Sequence, residues 1–298
     1  MFNLPGLRLM TDASAAAWVE EALARWPQGE GFTVGSLIPA GFEAYARILH
    51  PIRRVEGDVG TARWADLARE RGKRMHPLVS FEALVGGRDR EEIEDWDDLV
   101  PLEELPEREA IVLATHLGPL TADPDRCWFA LWNGYGSFGP PGGYSYVVEP
   151  DGSWLVQDDT RADARAFFEE LARYPLVRTL WSRSQPSFPG REYLLFHGSL
   201  DALESFHLGI WWQPPNLWWP DDRAWFVATE IDGYDTFVGG SRRCIEAVVA
   251  SPDLEALPID ADAWFGPSDP WNPAPWDRSM RPLARIRPAR WTLNVRRG

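Results

Sequence analysis

Lysine is almost missing from this chain. Lys73 stands alone, and the other 29 of the 30 basic residues are arginine. Cysteine is equally sparse, with only Cys127 and Cys244 in 298 residues. Two thiols this far apart do not make a disulfide framework. The five histidines, at 50, 76, 116, 197 and 207, form no H-x-H or H-E-x-x-H pair, and neither cysteine has a C-x-x-C partner. Short-spaced zinc motifs are therefore excluded, and no cofactor or metal is expected. No apolar run approaches the 18 residues of a membrane-spanning helix. The start, Met1 to Leu7, lacks the basic residues and continuous apolar stretch of a secretion signal, so the sequence points to the cytoplasm.

What the chain has is acid, arginine at one end, and tryptophan. Hydrophobic residues make up 45% and charged residues 25%, a balance that supports a folded core rather than disorder. The net charge is −15, but residues 278–298 hold seven arginines and no acid. Setting those seven aside leaves −22 on residues 1–277. Such a body repels nucleic-acid backbones and anionic membranes and attracts basic proteins. The arginine-rich end can equally fold back on its own acidic body.

The periodicity predicts interspersed helices and strands. A helix capped by Thr11 or Asp12 runs to about Trp26, ended by Pro27. Strands follow at Phe32–Pro39 and Phe42–His50, with a helical option at Glu43–Leu49, then a short helix at Arg63–Gly72. Residues 86–109 are dense in Asp and Glu and read as a solvated connector. A helix over Glu107–Leu120 leads to a buried strand at Cys127–Trp132. Tyr144–Glu149 and Ser153–Val156 read as a hairpin around Pro150-Asp151-Gly152. A helix capped by Asp159 or Thr160 reaches Tyr174, strands lie at Tyr193–Phe196 and Ala224–Ile231, and Ser241–Ala250 is the last helix. The strands come partly in hairpins, which favours an α+β fold with a mixed or mainly antiparallel sheet and flanking helices. The expected organisation is one body over 1–262, with a candidate internal boundary near 86–106, and a Pro/Trp/Arg-rich C-terminal arm over 263–298.

Gly134-Tyr135-Gly136-Ser137-Phe138-Gly139 fits G-x-G-x-x-G. A dinucleotide site needs a helix start next, whereas Pro140-Pro141-Gly142-Gly143 follows, so a glycine-rich loop is the better reading. His197 and His207 flank Ser199 and Asp201. A Ser–His–Asp triad usually converges from separate loops, and G-x-S-x-G is absent. Glu230 and Asp232 fall on one face of a predicted strand, where paired carboxylates could do acid–base work with His197 or His207, or simply form a polar strand end. Trp211, Trp212, Trp218, Trp219 and Trp225 crowd fifteen positions. Each buried indole N–H needs a partner, which makes Trp211, Trp212, Trp218 and Trp219 candidate exposed anchors for a binding surface.

The segments 215–223, 225–232 and 236–241 (PNLWWPDDR, WFVATEID, TFVGGS) resemble an uncharacterised protein family of GC-rich actinobacterial type, a likeness that implies no role. A looser similarity, on Ile38-Pro39-Ala40-Gly41-Phe42-Glu43-Ala44-Tyr45 and Leu131-Trp132-Asn133-Gly134-Tyr135-Gly136, is to the SUKH superfamily of acidic α+β immunity and binding proteins. That resemblance implies protein binding. The leading expectation is thus an intracellular protein-binding protein, an immunity-type or neutralising partner of a basic protein. The alternatives are a small hydrolase or metal-assisted enzyme using Glu230, Asp232 and a histidine, and a small-molecule or glycan binder that stacks its ligand on exposed tryptophans.

Overall fold

A computed structural model describes residues 4–10, 12–24, 31–54, 60–86, 99–133, 146–148, 154–156, 187–188, 191–208 and 211–265. Its centre is one antiparallel sheet. The strands are β1 (Leu7–Leu9), β2 (Ala44–Leu49), β3 (Cys127–Trp132), β4 (Ser187–Phe188), β5 (Arg191–Gly198), β6 (Leu217–Pro220), β7 (Trp225–Thr229), β8 (Asp235–Gly240) and β9 (Ala256–Ile259). Their spatial order is β1-β5-β3-β6-β7-β8-β2-β9, with β4 pairing the start of β5. Every pair is antiparallel. The fold is α+β, as the hairpin-rich order of the strands predicts.

The register sets two rows of side chains. Ala46, Val238, Val227, Trp218, Phe129 and Phe196 lie opposite one another across successive strands on one face. Against them pack α4 (Glu107–Leu117), through Ala110, Leu113 and Leu117, and α5 (Arg242–Val249), through Ile245 and Val248. Arg47, Phe237, Ala228, Leu217, Ala130 and Leu195 form a row on the opposite face. That face is covered by α1 (Ala17–Ala22), through Val19, and by Val34, Leu37 and Ile38. An antiparallel sheet commonly leaves one face to water and then alternates apolar with polar residues. Here both faces are roofed, so β3, β6 and β7 read as nearly continuous apolar runs.

A third cluster sits beyond the end of β2. It joins Leu49, Ile52 and Leu99 to α2 (Trp64–Glu70) and α3 (Phe81–Val85). The first turn of α2 has no cap of its own. Glu255, far along the chain, accepts from the amides of Trp64 and Ala65 at 2.8 and 2.7 Å. Burial raises the Glu255 pKa, and these amides, which favour the carboxylate, offset only part of that rise. The other ends follow local rules: Ser80 caps α3, Ser241 caps α5, and Gly86, at φ 91°, closes α3.

Several boundaries differ from the periodic reading. The first helix is confined to Ala17–Ala22 after a 3-10 turn at Ser14–Ala16, although Asp12 accepts from the Ser14 amide at 2.8 Å as a cap would. Only Phe32–Thr33 of the expected 32–39 strand is extended; it pairs with Trp264–Phe265, and Val34–Ser36 turns into a 3-10 helix. Tyr146–Val148 and Trp154–Val156 pair as the expected hairpin. Thr11, Pro27, the Gly134–Gly139 motif, the Pro150–Gly152 turn and the expected 159–174 helix lie outside the described residues, as do residues 87–98 of the acidic connector and 266–298 of the arm. Strands from both sides of 86–106 join the one sheet. Among the described residues, no helix is long and apolar enough to cross a membrane.

Candidate functional site

The sheet face under α1 carries Arg47 and Arg191, and both are held by acids. Arg47, in the middle of β2, is almost fully buried. It donates from Nε and Nη2 to the two carboxylate oxygens of Asp235 at 2.9 and 2.8 Å. Its Nη1 donates to the carbonyls of Pro77 and Val79, each at 2.8 Å. The guanidinium also lies 4.8 Å from the Phe265 ring centre. Fork geometry of this kind orients both partners in the sheet.

Arg191 opens β5 and reaches across to the turn that follows β7. Its Nη1 donates to Glu230 Oε1, and its Nη2 to Asp232 Oδ2 at 2.7 Å. Burial works against the Arg191 charge, but the Glu230 carboxylate outweighs it and holds the pKa above the ordinary value. The Glu230 side chain is 2% exposed and that of Asp232 79%. Glu230 Oε1 also accepts from the Asp232 amide at 3.3 Å. Its second oxygen, Oε2, is buried without a hydrogen-bond partner among the described residues.

These groups line a cleft of about 390 Å³. Phe32, Trp64, Phe81, Tyr234, Trp264 and Phe265 supply its aromatic lining. Trp264 is 44% exposed. Glu82 adds a carboxylate whose pKa burial raises, and Tyr234 has its hydroxyl raised for the same reason. Counting Arg47 and Arg191 against Glu82, Glu230, Asp232 and Asp235, the lining carries a formal charge of −2.

The expected carboxylate pair is therefore brought together, on Arg191 rather than on a histidine. No histidine lines the cleft. His197 lies at the other end of β5, against Trp128 at 4.5 Å between ring centres and with Nε2 3.5 Å from Asp221. That nitrogen has no hydrogen-bond partner among the described residues, so the approach to Asp221 lacks hydrogen-bond geometry. Burial raises the Asp221 pKa, but hydrogen bonds from Arg126 and Trp128 prevail and lower it. His207 is bonded to Glu107 at 2.9 Å, and Ser199 caps a 3-10 helix by accepting from the Asp201 amide. These residues do not converge as a triad. Among the described residues, no group of three or more His, Cys, Asp or Glu is placed to hold a metal ion.

The tryptophan expectation needs correction at two positions. Trp218 and Trp219 are each 1% exposed. Trp218 packs edge-on to the equally buried Trp225, and Trp219 stacks on Phe226 at 5.4 Å. Neighbouring residues of one strand point to opposite faces, and with both faces covered neither ring reaches water. Trp212 is half-buried and donates to the Leu105 carbonyl at 2.9 Å. Trp211 pairs through its backbone with Leu208, and its side chain lies outside the described residues. Trp264, Arg47 and Arg191 carry no motif that singles them out. A usable signal did exist at Arg47: an arginine inside an apolar strand must find an acid.

No family model, curated protein or solved structure matches the chain.

Proposed function

We propose that this is a cytoplasmic protein-binding protein that engages a basic protein partner, in the manner of a neutralising or immunity-type partner. The observation that carries the reading is charge: −22 on residues 1–277, with both arginines of the cleft already held by carboxylates. Such a field accelerates encounter with a basic surface and disfavours nucleic acid and anionic membranes. The two cysteines support a reducing compartment. Both are unpaired and buried, and burial pushes each thiol up to about 12, so neither is a ready nucleophile.

Affinity capture with the full chain at low salt, followed by calorimetry on the recovered partner at several salt concentrations, tests this. The expected result is a partner with a strongly basic surface, bound at least about tenfold more weakly at 0.5 M salt than at 0.05 M. Failure to bind any basic protein at low salt, or a partner whose affinity ignores salt, would overturn it.

A further inference from the structure

We infer that the cleft at the ends of β5, β7 and β8 is a binding site for an organic cation bearing N–H donors, best matched by a guanidinium such as an arginine side chain. The inference deepens the proposed function, since it rests on that reading for the partner that presents the arginine.

Three independent features converge on this ligand. The first is charge: four carboxylates face two arginines, and the arginine donors are directed away from any incoming anion. Arg47 is fixed on Asp235, Pro77 and Val79, and Arg191 on Glu230 and Asp232. A phosphate or carboxylate ligand would meet net negative charge, whereas a monocation would offset half of it. The second is the unpartnered Oε2 of Glu230. A buried carboxylate oxygen without a donor carries an unrecovered desolvation cost, and an N–H brought by a ligand removes it. The third is the wall chemistry. Trp264 lines the cleft and is 44% exposed, and Arg47 already lies over Phe265 and, at 5.7 Å, Trp64. A planar guanidinium stacks on aromatic faces while its edge reaches carboxylates. The volume, about 390 Å³, suits one side chain or a small molecule.

The test uses the full chain and two probes, N-acetyl-arginine methylamide and its uncharged isostere N-acetyl-citrulline methylamide, titrated by calorimetry. The arginine probe is expected to bind with a Kd of about 0.1–1 mM, and the citrulline probe at least about tenfold more weakly. Glu230→Gln keeps the acceptor toward Arg191 but replaces a carboxylate, and should weaken the arginine probe about tenfold or more. Asp232→Asn sits at an exposed position where folding is safe, and should weaken it about threefold. Equal binding of both probes, no saturable binding of either, or an affinity unchanged in both variants would overturn the site. If a basic partner binds the variants as tightly as it binds the native chain while the arginine probe fails, the site is wrong and the proposed function stands. If the arginine probe binds and no basic protein does, the site stands and the proposed function falls.

Discussion

Arg47 and Asp235 face each other from adjacent strands, 188 positions apart in the chain, and close a two-pronged ion pair that is almost wholly shielded from water. The pair ties β2 to β8 and, through the Pro77 and Val79 carbonyls, ties both to the loop before α3. Removing one partner strands the other charge. Asp235→Ala or Arg47→Ala should each cost about 3–5 kcal/mol in urea unfolding, whereas Arg47→Met combined with Asp235→Leu should cost far less than their sum.

His50 provides a pH signature. It is fully enclosed, with Nδ1 2.8 Å from the Leu102 carbonyl and Nε2 2.9 Å from Thr236 Oγ1. A carbonyl only accepts, so Nδ1 carries the proton and Nε2 accepts from the threonine. Burial holds the pKa down to about 4, against an ordinary value near 6.5. The unfolded chain therefore takes up a proton near 6.5 that the folded chain refuses until about 4. Stability attributable to His50 should fall across that window by about 3 kcal/mol and level off below it. Glu82 and Glu255, with raised pKa values, act oppositely: their contribution improves as pH drops toward the ordinary carboxylate value. Comparing the chain with His50→Gln by urea unfolding at pH 7, 5.5 and 4 isolates the histidine part, and the variant should show the flatter profile.

Two glycines mark close approaches. A methyl at Gly239 would sit 2.6 Å from both Ile38 and Phe42, and one at Gly198 would sit 2.3 Å from the Gly6 carbonyl. Gly239→Ala should cost about 1–3 kcal/mol, because side chains can give way. Gly198→Ala meets backbone instead, and should detach β1. Amide exchange at Leu7 to Leu9 would then quicken far more than exchange elsewhere.

The buried and exposed indoles should separate in experiment. Trp219→Ala removes a ring stacked on Phe226 and edge-on to Trp18, at a cost of about 3–5 kcal/mol. Milder Trp218→Phe and Trp219→Phe changes should lower the unfolding midpoint yet leave salt-dependent partner binding unaltered. Trp264→Ala should do the reverse.

Much of the architecture was legible before the structure. Cys127–Trp132 is apolar throughout and flanked by polar residues, and it is a strand over those same six positions. Ser241 before an amphipathic run starts α5 as capping chemistry requires. The site was half legible. Glu230 and Asp232 could be brought together from local spacing, but the strand face expected for them does not exist: β7 ends at Thr229, and both sit in the turn after it, one buried and one exposed. Their partner Arg191 lies 39 positions from Glu230 and depends on β5 and β7 being carried to one face by the sheet's strand order. Burial of Trp218 and Trp219 was hidden for a related reason. Whether a strand shows one wet face depends on what covers the sheet, and the covers come from residues 14–38, 107–117 and 242–249, all outside the strands themselves.

The placement of β2 has a bearing on biosynthesis. Its two neighbours in the sheet, β8 and β9, are supplied only by residues 235–259. At ribosomal rates of about 5–20 residues per second, the 188 positions from Arg47 to Asp235 take on the order of 10–40 s to synthesise. Through that interval an apolar strand with a central unpaired arginine must wait beside the ribosome. Truncated translation products ending before residue 235 should accordingly be chaperone clients and poor survivors in the cell, even though they contain most of the core.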